Sequence, residues 1–216
     1  MNRNPIVTDE YYHIYNRGVD RRNIFSDNSD VERFLLSMKL FNSIDPVSSL
    51  RDVCEIKGTD SVNPQAKLVD IIAYCLNPNH YHFILKQLIN GGIPEFMKRL
   101  NGGYTWYFNK KNSRNGTLLQ GVYKSRHIKD NETLLELSTY VTLNNEVHQI
   151  GGETAGLVRS SWNEYVNGAS GICNKSLLLD QFKNHKEYEK YALNVLPTLL
   201  ERKKEEKELA ALLLEY

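Results

Sequence analysis

Acidic side chains are missing from one long stretch of this chain: none occurs between Glu95 and Asp130, whereas Lys98, Arg99, Lys110, Lys111, Arg114, Lys124, Arg126 and Lys129 all fall within it. The 27 Lys and Arg residues are otherwise balanced by 26 Asp and Glu, so overall charge does not mark a nucleic-acid binder and only the local distribution points to an anion-facing surface. Cysteine is scarce. Cys54, Cys75 and Cys173 are widely spaced, odd in number and without a CxxC pair, which argues against both a disulfide framework and a thiolate metal site and fits a reducing cytosol. No apolar run approaches the roughly 18 residues needed to span a bilayer, and the first residues lack the apolar core of a signal peptide. A soluble, cytoplasmic protein is therefore expected.

What is present fits one core domain, residues 1–150, followed by a linker and helical extension over 151–216. Tyr11–Asn16 is rich in aromatics and reads as a first strand, with a polar loop over Arg17–Arg22. A helix capped by Asp27 or Ser29 follows, its apolar face made by Val31, Phe34, Leu35, Met38 and Phe41. Residues 44–65 have no period and read as a loop or insertion. Lys67–Leu76 and His80–Gln87 form an apolar hairpin, and Ile93–Asn109 a second helix that Gly102-Gly103 could break or kink. Gln120–Ile128 reads as a fourth strand. A third helix, capped by Asp130 or Asn131, runs on to Asn144. The resulting order is that of a ferredoxin-like split βαβ antiparallel sheet, in the α+β class, with one added helix. Beyond Gly151-Gly152, two helices are expected at about 175–182 and 186–214, the last with a solvated face and an apolar stripe.

The feature with the most chemical content is His80-Tyr81-His82, just after the tight turn Asn77-Pro78-Asn79. Strand alternation puts both imidazoles on one face and Tyr81 on the other, so the pair can share a metal ion. By spacing alone, two imidazoles hydrogen-bonded at a sheet surface are the more ordinary outcome. Tyr140 and Asn144 lie four apart on the added helix and so stack one turn apart. Were that helix to cross the histidine face, the Asn144 carboxamide oxygen would become a third ligand and the Tyr140 hydroxyl would stand beside the metal.

Several stretches, in this order, resemble the single-tyrosine HUH transposases of the bacterial insertion-sequence and REP-associated type. They are Tyr12–Gly18, Asn77–Leu85, Tyr107–Lys111, Leu119–Ser125, Tyr140–Asn145 and Ser160–Tyr165. The resemblance gives His80 and His82 the place of the histidine pair, Tyr140 that of the nucleophile and Asn144 that of the polar ligand. Tyr81 stands where the family has an aliphatic residue, Asn77 where methionine is common and Asn145 where proline usually follows. The implied activity is cleavage and rejoining of single-stranded, hairpin-containing DNA through a 5′-phosphotyrosine, with DNA as partner, a possible homodimer and a nucleoid-associated location. The implied cofactor is Mg²⁺ or Mn²⁺, although imidazole ligands by themselves favour Mn, Co, Ni or Zn. Phosphate contacts are expected from Arg17, Arg21, Arg22, Lys98, Arg99, Lys110, Lys111, Arg114, Lys124 and Arg126. Tyr104, Trp106, Tyr107, Phe108 and Tyr123 are either stacking platforms for bases or core residues. Alternatives are a domesticated relative cutting fixed hairpin repeats, a non-catalytic hairpin-binding protein of the same fold, and a small-molecule phosphodiesterase; retention of both histidines, Tyr140 and Asn144 favours catalysis on DNA.

Overall fold

The computed structural model describes residues 5–45 and 66–212. Most of the expected 44–65 insertion, and Cys54 with it, lies outside those residues. Five antiparallel strands form one sheet: β1 (Tyr11–Arg17), β2 (Val69–Asn77), β3 (His80–Gln87), β4 (Lys124–Ile128) and the two-residue β5 (Arg159–Ser160), in the order β4-β1-β3-β2-β5. Helices α1 (Asn28–Leu40) and α2 (Gly92–Lys111) cover one face. The opposite face carries α3 (Asn131–Thr142), the single turn α4 (Asn144–Val147), α5 (Trp162–Val166), α6 (Ser176–Leu179) and the long α7 (His185–Leu212).

Alternation along β1 and β3 decides which side chains go where. Tyr12, Ile14, Tyr81, Phe83 and Leu85 point into the core beneath α1 and α2, where Phe25, Phe34 and Tyr104 meet them. The intervening residues His13, Tyr15, His80 and His82 therefore face α3. On β2 the alternation is reset by a bulge: Ile71 opposes Leu85 and Ala73 opposes Ile84, leaving Ile72 as the extra residue. With that phase, Cys75 opposes His82 and Asn77 opposes His80, both on the histidine face.

Three sequence expectations are revised and one open alternative is decided. The strand read from Gln120 begins only at Lys124, because Gly121 takes a positive φ and only a single bridge, Gly18 to Leu119, continues the pairing. α2 runs unbroken through its glycine pair, and Gly103 is where the Phe41 ring packs: a Cβ there would lie 2.8 Å from that ring. The added helix stops at Thr142, not Asn144, with Leu143 at φ −109°, ψ 24°. Ser138 and Thr142 hydroxyls donate back to the carbonyls of Leu135 and Ser138, a local bonding that loosens and bends helix ends. Finally, Tyr104, Phe108 and Tyr123 are core residues, whereas Trp106 is exposed.

Candidate active site

The turn Asn77-Pro78-Asn79 sets the first histidine. Asn79 Nδ2 donates to the carbonyl of Arg21 at 3.3 Å, which turns its Oδ1 toward His80 Nδ1, 2.6 Å away. An acceptor at that distance requires the His80 proton on Nδ1 and leaves a lone pair on Nε2. His80 Nε2 accepts from Asn77 Nδ2 at 2.9 Å and lies 3.2 Å from Asn144 Oδ1. On the other ring, His82 Nδ1 is 2.8 Å from His13 Nε2. Donation from His82 Nδ1 to His13 frees His82 Nε2 in the same way, so a partner on one ring nitrogen prepares the other as a ligand.

Burial keeps these rings neutral. It pushes the His82 imidazole well below its ordinary pKa, with His13 and His80 adding to the effect, and lowers His80 despite the opposing contact with Asn144. His13 falls to about 4, first through burial and then through Arg126. Neutral imidazoles are what metal ligation needs. His80, His82 and His148 bring one ring nitrogen each to within 4.8 Å of one another. Histidine 148 follows Asn144 by one turn, and its backbone N–H donates to the Asn144 carbonyl at 2.9 Å.

Tyr140 reaches the same place from the last turn of α3. Its ring stands edge-on to His82, with 5.6 Å between centroids, and its hydroxyl is 3.5 Å from His148 Nε2. Burial raises the phenol's pKa, while Asn144 and Lys203 pull the other way. The break after Thr142 does not separate the two residues the sequence paired: Tyr140 and Asn144 both reach the histidines of their own chain.

The surrounding cleft has two adjoining lobes of about 460 and 540 Å³, and Tyr15, His82, Tyr140 and Lys203 line both. Arg126 belongs to the first lobe, and Arg17, Arg21 and Lys124 to the second. Thus the structure brings four of the ten proposed phosphate-contact residues to the cleft. Arg22 sits at the surface 3.8 Å from Asp20. The other five lie in or just after α2, which covers the opposite face of the sheet. Arg99 is held by Glu95 and the Ser43 carbonyl, Lys111 by Asp27 and the fully buried Asp30, and Arg114 by the Asn109 side chain and the Thr117 carbonyl. Lys98 pairs with Glu95, and Lys110 rests over the exposed Trp106 ring.

Sequence reasoning missed His13, His148 and Lys203. Alternation from Tyr12 and Ile14 places His13 on the histidine face once β1 and β3 are neighbours, so a signal existed. His148 lies beyond the helix break and Lys203 is 63 residues downstream of the tyrosine; neither position is legible from local pattern.

Among the described residues no helix is long and apolar enough to cross a membrane. No curated protein sequence matches this chain. One solved structure, described as a REP-associated tyrosine transposase bound to a REP hairpin, aligns with a TM-score of 0.48 at 15% identity, over 80% of this chain and 88% of that one. Residues 56–145 match the family model described as "Transposase IS200 like". That span holds both strand histidines, Tyr140 and Asn144, and over it the chain is similar to that family.

Proposed function

We propose that this protein nicks and rejoins single-stranded DNA through a covalent bond to Tyr140, and that the observation carrying this reading is the convergence of the Tyr140 ring, His80, His82 and Asn144 in one basic cleft. The donor set of two neutral imidazoles and an amide oxygen, with His148 beside them, fits a divalent cation such as Mg²⁺ or Mn²⁺. When bound, such an ion would offset the charge that builds on the non-bridging oxygens of a scissile phosphate.

The chain's own groups account for the rest. Arg17, Arg21, Lys124 and Arg126 line the cleft and supply sequence-independent phosphate contacts. Tyr15 offers a flat ring at the floor, stacked on His82 at 5.6 Å. The tyrosine oxygen attacks phosphorus; a bond forms between phosphorus and that oxygen, and the bond from phosphorus to the 3′ oxygen breaks. The phenolic proton leaves Tyr140 and a proton reaches the 3′ oxygen, giving a 5′-phosphotyrosine and a free 3′-hydroxyl. Because the phosphodiester energy is kept in the new bond, another 3′-hydroxyl can reverse the step and join new ends without ATP. His148, 3.5 Å from the phenol, is the nearest group for its proton, and Lys203 sets a positive charge beside the developing phenolate.

The test is incubation of the protein with labelled single-stranded hairpin oligonucleotides and Mg²⁺ or Mn²⁺. An SDS-resistant adduct is expected, and Tyr140→Phe abolishes it while leaving the mobility shift of the DNA. A shift without any adduct from the unaltered protein would identify a binding protein instead.

A further inference from the structure

Asn144 can occupy its place in two orientations of nearly the same shape, and only one of them presents oxygen to the histidines. The Nδ2 end of its carboxamide is buried without a partner at hydrogen-bond distance, and its polar neighbour, the Tyr140 hydroxyl, can donate or accept and so does not select the orientation. The selection comes from the other end. Asn77, itself fully buried, sits opposite His80 in the β2–β3 register and points its Nδ2 at Asn144 Oδ1, 2.7 Å away. An inverted Asn144 would set one amide nitrogen against the other and aim a second donor at His80 Nε2, the lone pair prepared for ligation.

Asn77 is held in its own orientation. Its Oδ1 accepts from the Cys75 thiol at 3.5 Å, and Cys75 is two residues back on the same face of β2. Burial raises the Cys75 pKa to about 12, so the sulfur keeps its proton and acts as a donor. The backbone N–H groups of Asn144 and Asn145 turn toward that same sulfur, which docks the start of α4 against β2. A chain of donors and acceptors thus runs from Cys75 through Asn77 to Asn144 and His80.

We infer that Asn77 is a positioning residue of the metal centre, fixing the polarity of Asn144 so that its oxygen, and not its nitrogen, meets the ion. This rests on the metal-dependent reading above. Two of its consequences differ from those of a merely structural residue. Removing the donor should weaken metal binding, because groups that orient ligands contribute about 10- to 100-fold in affinity. The loss should also vanish when Asn144 has no side chain left to orient.

The experiment is a Mn²⁺ titration of the full chain, followed by electron paramagnetic resonance, on the unaltered protein, Asn77→Leu, Asn144→Ala and the double variant, with His82→Ala as control. Leucine matches asparagine in shape and lacks the donor; where Asn77→Leu fails to give a cooperative melt, Asn77→Ser takes its place. The expected result is at least a tenfold loss in Asn77→Leu and no loss in the double variant beyond that of Asn144→Ala. Unchanged affinity in Asn77→Leu, or equal losses in both backgrounds, overturns the inference alone. A protein that binds no Mn²⁺, or binds it equally well as His82→Ala, overturns the metal centre itself.

Discussion

His13 Nε2 lies 2.8 Å from His82 Nδ1, two buried rings on neighbouring strands stacked with an interplanar angle of 18°. The contact is diagonal, since His13 pairs with Ile84 and His82 with Tyr15 in the β1–β3 ladder. One histidine thereby orients another, and the second is left with a single nitrogen to offer.

Replacing His13 by phenylalanine keeps a ring of similar size and removes the acceptor. His82 is then free to move its proton to Nε2, and we expect Mn²⁺ affinity to fall about tenfold with the fold intact. Calorimetric titration beside a thermal melt measures both; undiminished affinity would show that His82 needs no such partner.

The same pair makes the metal-free protein acid-sensitive. The folded His13 pKa is about 4, below the ordinary value near 6.5. Between these limits the unfolded chain takes up a proton that the folded one refuses, so stability falls as pH drops through that window and is insensitive to this group above it. The full difference corresponds to about 3 kcal/mol. Melting temperatures of metal-free protein from pH 7 to 5 should decline, and His13→Phe should decline less steeply; parallel curves would contradict the assignment.

Basic residues on the two faces of the sheet should differ in their effect on DNA. Arg17 lines the cleft, whereas Lys98 lies on α2 behind the sheet. Arg17→Ala should weaken oligonucleotide binding and reduce the slope of log affinity against log salt by about 1, while Lys98→Ala should leave the slope unchanged. Fluorescence anisotropy over a salt series separates them, and equal slopes for the two variants would remove the cleft from the binding surface.

The adjacent glycines of α2 also part company. Nothing lies within 4 Å of a Cβ at Gly102, while one at Gly103 would meet the Phe41 ring at 2.8 Å. Gly102→Ala should therefore gain about 0.5–1 kcal/mol from helix propensity, and Gly103→Ala should gain nothing or lose stability as the ring is displaced. Urea midpoints report the difference; an equal gain at both positions would mean that Phe41 yields freely.

Much of this arrangement is visible in the sequence because it is local. The β2–β3 hairpin and the shared face of His80 and His82 follow from a period of two and from the Asn-Pro-Asn turn, and the stacking of Tyr140 with Asn144 from a period of 3.6, whereas the approach of Tyr140 to the histidines is implied by the family resemblance alone. What escapes is set by tertiary neighbours. The end of α3 depends on side chains that bond back to their own helix, the core role of Tyr104 and Phe108 on which side of α2 meets the sheet, and the contribution of His13 on which strand becomes the neighbour of β3. The basic stretch after Glu95 misleads for a related reason: residues close in sequence are divided between a helix on one face of the sheet and an edge strand beside the cleft.

Ile72 is one residue more than the pairing of β2 with β3 requires, and it lies five positions ahead of Asn77. Deleting it would restore regular pairing and, since Ile71 would still oppose Leu85 and Ala73 Ile84, would leave Cys75 opposite His82 and Asn77 opposite His80. The bulge can therefore absorb one residue of length without moving the carboxamide contacts that meet the strand's end.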